Sequence, residues 1–273
     1  MRIVTDSTSY LPLEKIKEFD IDIVPLEVTF RGSTFREGHI SNRDYYSRLR
    51  SEKAFPTTSQ PPVGDFVEAF KRYGPQEIYL CLVMSEILSG TFHSAETATS
   101  LLPEYDITVM DSRSTAMGLG FQVLKAAEMA RRGIDREDII QELVKMRSAM
   151  QIHFVVDNLE YLVRGGRLSK TSGLLGNLLQ VKPILGIVDG RIEPLDKVRS
   201  KARAVQRIVE DLEKRNEMGS VSQVAINHVD QEAEAWELKK QVEQFFPGPV
   251  LFSEVGPVIG SHVGPGAFGL IYY

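Results

Sequence analysis

The sequence has one cysteine, Cys81, among its 273 residues, and it has no long hydrophobic run. One cysteine excludes an internal disulfide and a cysteine-based zinc site. No stretch of about 20 apolar residues is present, so no membrane-spanning helix is expected. The opening segment MRIVTDSTSY has no apolar core of the kind found in a signal peptide. These absences predict a cytoplasmic protein without stable membrane insertion.

Positive charge is also in short supply, with 32 lysines and arginines against 37 acidic residues and a net charge of −5. Phosphate backbones are bound by an excess of basic side chains, so nucleic acid is not expected as the main partner. The five histidines lack the close spacing of metal ligands, and neither a G-x-S-x-G elbow nor a P-loop motif occurs. The sequence therefore predicts no metal site and no cofactor.

Strand-length apolar runs alternate with helical patterns in the first half of the chain. Strands are predicted at residues 2–5, 21–30, 77–84 and 107–110, and helices at 41–52, 62–73, 91–102, 115–132 and 135–150. Ser41 followed by Asp44 is a variant of the helix-capping box. Alternation of this kind predicts a parallel sheet covered by helices on both faces.

The second half has a different pattern. Strands are predicted at residues 152–156, 181–188, 191–198, 221–228, 250–255 and 269–273, and helices at 201–216 and 231–245. The Asp189-Gly190 pair between two strands favours a tight hairpin turn. We therefore predict an α/β protein of two domains. Residues 1–150 form a parallel α/β domain, and residues 151–273 form an α+β domain with a mixed sheet.

Hydroxyl-bearing residues recur where predicted strands end and helices begin. The four segments are Thr5–Ser9, Thr57–Pro61, Ser85–Thr91 and Asp111–Thr115. Helix capping alone can explain any one of them, because Ser, Thr and Asp are the preferred N-cap residues. The carboxyl ends of parallel strands form the ligand crevice of such sheets, and helix N-termini favour anions. Four segments together predict a rim of neutral donors suited to a carboxylate or phosphate head group.

Three features of the second domain allow a structural or a functional interpretation. Arg164-Gly165-Gly166-Arg167 is either a solvated basic loop or a turn that orients guanidinium groups. The apolar run at residues 173–180 is either core or a cover over an apolar ligand. His262 lies beside two glycines, so it is expected on an exposed loop, where a histidine can contact phosphate or act as a general acid or base.

Short motifs along almost the whole chain resemble the DegV family, in the family's order. In the first half they are Ile3–Thr8, Ile23–Leu26, Thr58–Pro61, Leu88–Thr91 and Val109–Ser112. In the second half they are Leu159–Leu162, Gly165–Ser169, Val181–Ile184, Lys197–Arg199 and His262–Gly266. Each motif is weak alone, but the ordered set is highly specific.

The resemblance implies a protein that binds one long-chain fatty acid, such as palmitate or oleate, as the non-catalytic subunit of a bacterial fatty acid kinase. The partner kinase catalytic subunit would phosphorylate the carboxylate to an acyl phosphate for phospholipid synthesis. By the same resemblance, Thr58 and Ser89 in the first domain should hold the carboxylate. Arg167, Arg199 and His262 match positions near the head-group opening, where they would contact phosphate or the kinase. The second domain would cover the acyl tail.

Two other functions remain open at the level of sequence. In the first, Ser89 is the nucleophile of an acyl-transfer or hydrolase enzyme, which requires a base within hydrogen-bond reach. His93, one helical turn further on, is the nearest candidate in the sequence. In the second, the protein is an interaction module in which a lipid only fills space. A covalent acyl-serine would survive denaturation, whereas a bound fatty acid would pass into organic solvent.

Overall fold

The computed structural model describes residues 1–52, 54–168 and 182–273. Within them the strands are β1 (Arg2–Asp6), β2 (Asp22–Val24), β3 (Glu27–Phe30), β4 (Ser33–Arg36), β5 (Thr57–Ser59), β6 (Ile78–Val83), β7 (Asp106–Asp111), β8 (Gln151–Val155), β9 (Lys182–Val188), β10 (Arg191–Val198), β11 (Val224–His228), β12 (Val250–Glu254) and β13 (Phe268–Tyr272). The helices are α1 (Leu13–Phe19), α2 (Asn42–Ser51), α3 (Val63–Lys71), α4 (Thr91–Ser100), α5 (Met117–Arg131), α6 (Arg136–Ala149), α7 (Glu160–Arg164), α8 (Lys201–Glu217), α9 (Glu232–Val242) and α10 (Pro257–Val263).

The chain divides into two compact units, and one segment departs from the predicted domain limits. The first unit comprises Met1–His39 and Thr58–Ala149, and the second comprises Ile40–Thr57 and Met150–Tyr273. The segment Ile40–Thr57 contains α2 and belongs to the second unit, although it precedes residue 150 in the sequence.

Two tyrosines explain why α2 belongs to the second unit. Tyr45 and Tyr46 are fully buried. The Tyr45 hydroxyl lies 2.6 Å from Ser261 Oγ, and Tyr46 Oη donates to the carbonyl oxygens of Val255 and Gly256 at 2.6 and 2.9 Å. These partners are more than 200 residues away, so the local pattern that predicts the helix carries no information about where it docks.

A four-stranded parallel sheet in the order β2-β1-β6-β7 forms the centre of the first unit. Alternate side chains of β6, namely Tyr79, Cys81 and Val83, pack in one core with α3 and α4. The intervening Leu80 and Leu82 are fully buried as well. Because successive side chains of a strand point to opposite faces, β6 is covered on both sides. This confirms the predicted α/β class.

The predicted strand at residues 21–30 is wrong as a single element. It forms β2, which pairs with β1, and β3, which pairs antiparallel with β4 in a separate sheet of order β4-β3-β5. Pro25 stands at the break between the two strands. Proline has no backbone N–H to donate to a sheet ladder, so it is a natural point for the chain to leave one sheet and enter another.

The second unit contains the mixed sheet that the sequence predicts, in the order β10-β9-β8-β13-β11-β12. Only the β11–β12 pair of this sheet is parallel among the pairings that the structure describes. Strands β9 and β10 form the predicted hairpin, whose turn residues Asp189 and Gly190 have φ values of 47° and 80°. Two successive positive φ values are typical of the tight primed turn that an Asp-Gly pair favours.

Some of the sequence predictions concern residues outside the described ones. They are the apolar run at residues 173–180, Ser169 at the end of the glycine–arginine motif, and Val181 at the start of the predicted hairpin.

Of the helices that the structure describes, none combines the length and the apolar character needed to cross a membrane.

Candidate functional site

Asp6, at the carboxyl end of β1, joins two of the predicted hydroxyl-rich loops. Its carboxylate accepts hydrogen bonds from the Thr8 backbone N at 2.8 Å and the Thr8 hydroxyl at 2.6 Å. It also accepts a hydrogen bond from the backbone N of Met84, at 2.7 Å. Asp6 is fully buried, and burial raises the pKa of its carboxyl group. Asp6 therefore anchors the loop after β1 to the loop after β6.

The loop after β6 is also tied to the loop after β7. The Ser85 backbone N donates to the Ser114 carbonyl at 2.8 Å, and Ser85 O in turn accepts from the backbone N of Ser89 at 3.1 Å. Asp111 accepts from the backbone N of Arg113 at 2.8 Å and of Glu86 at 3.3 Å. The three loops at the carboxyl edge of the parallel sheet thus form one connected rim.

Ser89, for which the family resemblance implies a carboxylate-binding hydroxyl, lies just before the start of α4. Gly90 is the N-cap residue of this helix. Ser89 Oγ lies 2.8 Å from Thr91 Oγ1 and accepts a hydrogen bond from the Thr91 backbone N at 3.3 Å. Ser89 is half-buried, whereas Thr91 is fully buried behind it. The serine hydroxyl is therefore held at a helix N-terminus, where partial positive charge favours an anion.

Close to Thr58 in the sequence, Gln60 contacts Gly90, the residue after Ser89. Thr58 is on β5, and Gln60 follows that strand directly. A Cβ atom added to Gly90 would lie 2.6 Å from Cδ and 2.7 Å from Nε2 of Gln60, so the amide rests against the Gly90 backbone. Thr58 is two residues from this contact and Ser89 is one residue from it. The contact that the structure describes therefore joins the residue two positions after Thr58 to the residue directly after Ser89.

In the second unit, Arg167 and His262 meet at Gly165, the C-cap residue of α7. Arg167 Nη1 donates to the Gly165 carbonyl at 2.6 Å. A Cβ atom on Gly165 would overlap the His262 ring, with His262 Nδ1 the nearest atom. Burial lowers the pKa of Arg167, and burial together with the Arg167 charge lowers the pKa of His262 to about 4. His262 is therefore neutral at pH 7.

The prediction that His262 lies on an exposed loop is wrong. His262 is in α10, and only 8% of its surface is exposed. The glycines that suggest a loop in the sequence are Gly264 and Gly266. Gly264 and a further glycine, Gly260, instead serve close packing. A Cβ atom on Gly260 would clash with the Tyr46 ring, and one on Gly264 would clash with the Tyr161 ring. Glycine here provides room for aromatic side chains around a short helix.

Arg199 is exposed and directly follows β10. The structure brings Arg167 and His262 together at Gly165, and it records no such shared contact for Arg199 within the described ranges.

His93, the base considered for the nucleophile interpretation, is turned toward another residue. Its side chain is 69% exposed, and its Nδ1 atom lies 3.6 Å from the Glu96 carboxylate. Ser89 Oγ contacts Thr91 instead.

Across residues 1–52, 54–168 and 182–273, no group of three or more His, Cys, Asp or Glu side chains is arranged to hold a metal ion.

Two residues of this region, Thr91 and Gln60, had no role in the sequence predictions. Both belong to motifs that the sequence displays, Leu88–Thr91 and Thr58–Pro61. The contact of Gln60 with Gly90 depends on how two loops pack, and no spacing rule predicts it. Thr91 lies only two residues from Ser89, so the local hydrogen bonding of hydroxyl residues at a helix start is the signal that could have identified it.

The two units and the loop rim define a two-domain α/β protein with a candidate anion site at the edge of its parallel sheet. The model of the DegV family, described as uncharacterised protein, matches residues 1–273. Protein DegV of Bacillus subtilis is 36% identical over 274 residues, covering 99% of this chain and 98% of the relative. The chain belongs to the DegV family.

Solved structures share the fold across nearly the whole chain. The crystal structure described as DegV, a fatty acid binding protein from Bacillus subtilis, has a TM-score of 0.92 at 37% identity, covering 99% of this chain and 98% of that one. A DegV family protein from Thermus thermophilus, described by its fatty acid binding, has a TM-score of 0.91 at 33% identity, with 100% and 99% covered. A stearic acid-binding protein from Eubacterium ventriosum has a TM-score of 0.91 at 27% identity, with 100% and 98% covered.

Proposed function

We propose that this chain binds one long-chain fatty acid non-covalently and presents its carboxylate to a partner kinase for acyl phosphate formation. In this proposal the chain has no catalytic activity of its own. It takes up a fatty acid such as palmitate or oleate in the cytoplasm and supplies it to lipid metabolism. The descriptions of the Bacillus, Thermus and Eubacterium proteins as fatty acid binding support the ligand.

The main structural support for assigning Thr58 and Ser89 to the carboxylate head group is the contact between Gln60 and Gly90. This contact supports a joint role for Thr58 and Ser89, because each is within two residues of it. Both residues offer a neutral hydroxyl rather than a charged group. An arginine would hold both carboxylate oxygens in a bidentate grip. Neutral donors leave the carboxylate open for transfer of a phosphoryl group.

Affinity should come mainly from the acyl tail. At about 0.8 kcal/mol for each buried CH₂ group, a 16-carbon chain provides roughly 11 kcal/mol before the costs of binding. A hydrogen bond to the charged head adds about 1.5–3 kcal/mol. The head-group residues should therefore affect the phosphoryl transfer more than they affect retention of the lipid.

Arg167, Arg199 and His262 are proposed to contact the phosphate or the partner kinase. The half-buried Arg167 and the neutral His262 support this role, since they meet at one glycine and combine a fixed positive charge with a neutral ring. Exposed Arg199 is suited to contact a protein partner.

The first experiment is to denature the protein after purification from a bacterial host, extract it with organic solvent and analyse the extract by mass spectrometry. One free fatty acid per chain is the expected result. An acyl group that stays on the denatured protein would instead favour the Ser89 nucleophile. An empty extract, with no rise in melting temperature on adding palmitate or oleate, would contradict the proposal.

The second experiment tests the head-group residues. Ser89→Ala and Thr58→Ala should each weaken fatty acid binding by about 10- to 100-fold if one charge-assisted hydrogen bond is lost. Acyl phosphate formation by an added fatty acid kinase catalytic subunit with ATP should fall further. Ser100→Ala is the matched control, because Ser100 is exposed at the other end of α4. Unchanged phosphorylation in both variants would refute the assignment of Thr58 and Ser89.

A further inference from the structure

The hydroxyl groups of Ser89 and Thr91 form a pair whose hydrogen-bond direction can be worked out from burial. The two oxygens are 2.8 Å apart, and either could donate on distance alone. Thr91 is fully buried, whereas Ser89 is half-buried. Within the described part of the chain, the hydrogen bond recorded for Thr91 Oγ1 is the one to Ser89 Oγ.

A buried hydroxyl hydrogen without an acceptor is costly, so Thr91 must donate to Ser89. A serine oxygen has two lone pairs and one hydrogen. One lone pair accepts from the Thr91 backbone N, and the other then accepts from the Thr91 hydroxyl. Both acceptor positions of Ser89 are thereby occupied. Only its own hydrogen remains, and that hydrogen points away from Thr91.

We infer that Thr91 is a positioning residue that makes Ser89 a hydrogen-bond donor only, so that the site selects an ionised carboxylate head over a head group that must donate. This inference rests on the proposed function, since it takes Ser89 as a contact of the head group. A carboxylate only accepts hydrogen bonds, which matches the Ser89 hydrogen. The hydrogen of an alcohol or a protonated acid finds no acceptor on Ser89.

The test compares oleate with oleyl alcohol, two ligands with the same tail, by displacement of a fluorescent fatty acid. Thr91→Val removes the hydroxyl and keeps the branched shape, and Thr91→Ser retains the hydroxyl as the matched control. Thr91→Val should weaken oleate binding by about three- to tenfold, the equivalent of one ordinary hydrogen bond. Binding of oleyl alcohol should stay unchanged or become tighter. Thr91→Ser should restore the preference for oleate.

Two further measurements separate this role from a structural one. In a Ser89→Ala background, Thr91→Val should have no further effect on oleate, because Thr91 acts through the serine oxygen. The carboxyl ¹³C signal of bound [1-¹³C]oleate should titrate at a higher pH in Thr91→Val than in the wild type. Without the Thr91 hydroxyl, the Ser89 hydroxyl is no longer oriented to donate to the ionised carboxylate, so the ionised form is less stabilised. Melting temperatures of all variants check that each one folds.

The outcomes distinguish this inference from the function on which it rests. If wild-type protein binds oleate but Thr91→Val weakens oleate and oleyl alcohol equally, the role of Thr91 is overturned and the proposed function stands. An undiminished effect of Thr91→Val in the Ser89→Ala background overturns it as well. If wild-type protein does not bind oleate at all, the proposed function and this inference fail together.

Discussion

Replacing Gly165 with alanine should force the His262 ring out of its position. Gly165 has φ of −70°, which alanine adopts freely, so the cost is purely steric. The new Cβ atom would overlap the ring at Nδ1 and would lie 3.2 Å from Cε1 and 3.0 Å from the Tyr161 carbonyl oxygen. Overpacking of this kind costs about 1–3 kcal/mol, and the stiffer unfolded chain offsets about 0.4–1 kcal/mol of it.

Gly166→Ala is the matched control, because it introduces the same group one residue further on. Gly166 has φ of +70°, and no atom of the described residues would lie within 4 Å of the added methyl group. Its cost is therefore purely conformational, about 1–2 kcal/mol. The assay is urea unfolding of each variant with His262 present and in a His262→Ala background. Removing the ring should relieve most of the cost of Gly165→Ala and leave the cost of Gly166→Ala unchanged.

The reasoning is refuted if Gly165→Ala costs the same free energy of unfolding with and without His262. That result would mean that the methyl group does not meet the ring. Under the proposed function, the same variant should also affect phosphoryl transfer, because the Gly165 carbonyl accepts from Arg167 beside the displaced His262 ring. We expect Gly165→Ala to lower acyl phosphate formation with the partner kinase more than Gly166→Ala does at equal stability.

Two further predictions concern helix glycines and pH. Gly64→Ala in α3 has open space around the new methyl group, so it should stabilise the protein by up to about 1 kcal/mol. Gly260→Ala in α10 would clash with the buried Tyr46 ring, so it should destabilise the protein by about 1–3 kcal/mol. Thermal unfolding of both variants tests this prediction, and changes in melting temperature of the same sign for the two variants would contradict it. The pKa of His262 falls from an ordinary 6.5 to about 4 on folding, so the unfolded chain binds the proton more readily between these values. As the pH falls from 6.5 to 4, the free energy of unfolding of the wild type should therefore drop by up to about 3 kcal/mol relative to that of His262→Gln. Parallel pH profiles of stability for the two proteins would rule this out.

Many of the regular elements of this protein follow from local patterns in its sequence. The alternation of short apolar runs with helical periodicity predicted the parallel sheet and its covering helices. The Asp189-Gly190 pair predicted the hairpin, and Ser41 does cap α2, with its Oγ accepting from the Asp44 backbone N at 3.1 Å. The order of short motifs along the chain predicted the DegV family. The motifs extend along the chain, but each motif, cap and turn spans only a few residues, because backbone propensity, capping and turn geometry are local properties.

The tertiary structure alone decided which distant surfaces meet. Tyr45 and Tyr46 are polar aromatic residues on a helix in the first half of the chain, and their burial in the second unit requires partners near residue 260. The burial of His262 and its low pKa have the same origin, since a histidine among glycines has no local feature that predicts how deeply it is covered. The donor role of Ser89 likewise depends on the burial of Thr91. Burial and hydrogen-bond direction are set by the packing of residues that are remote in the sequence, so they are decided only once the chain has folded.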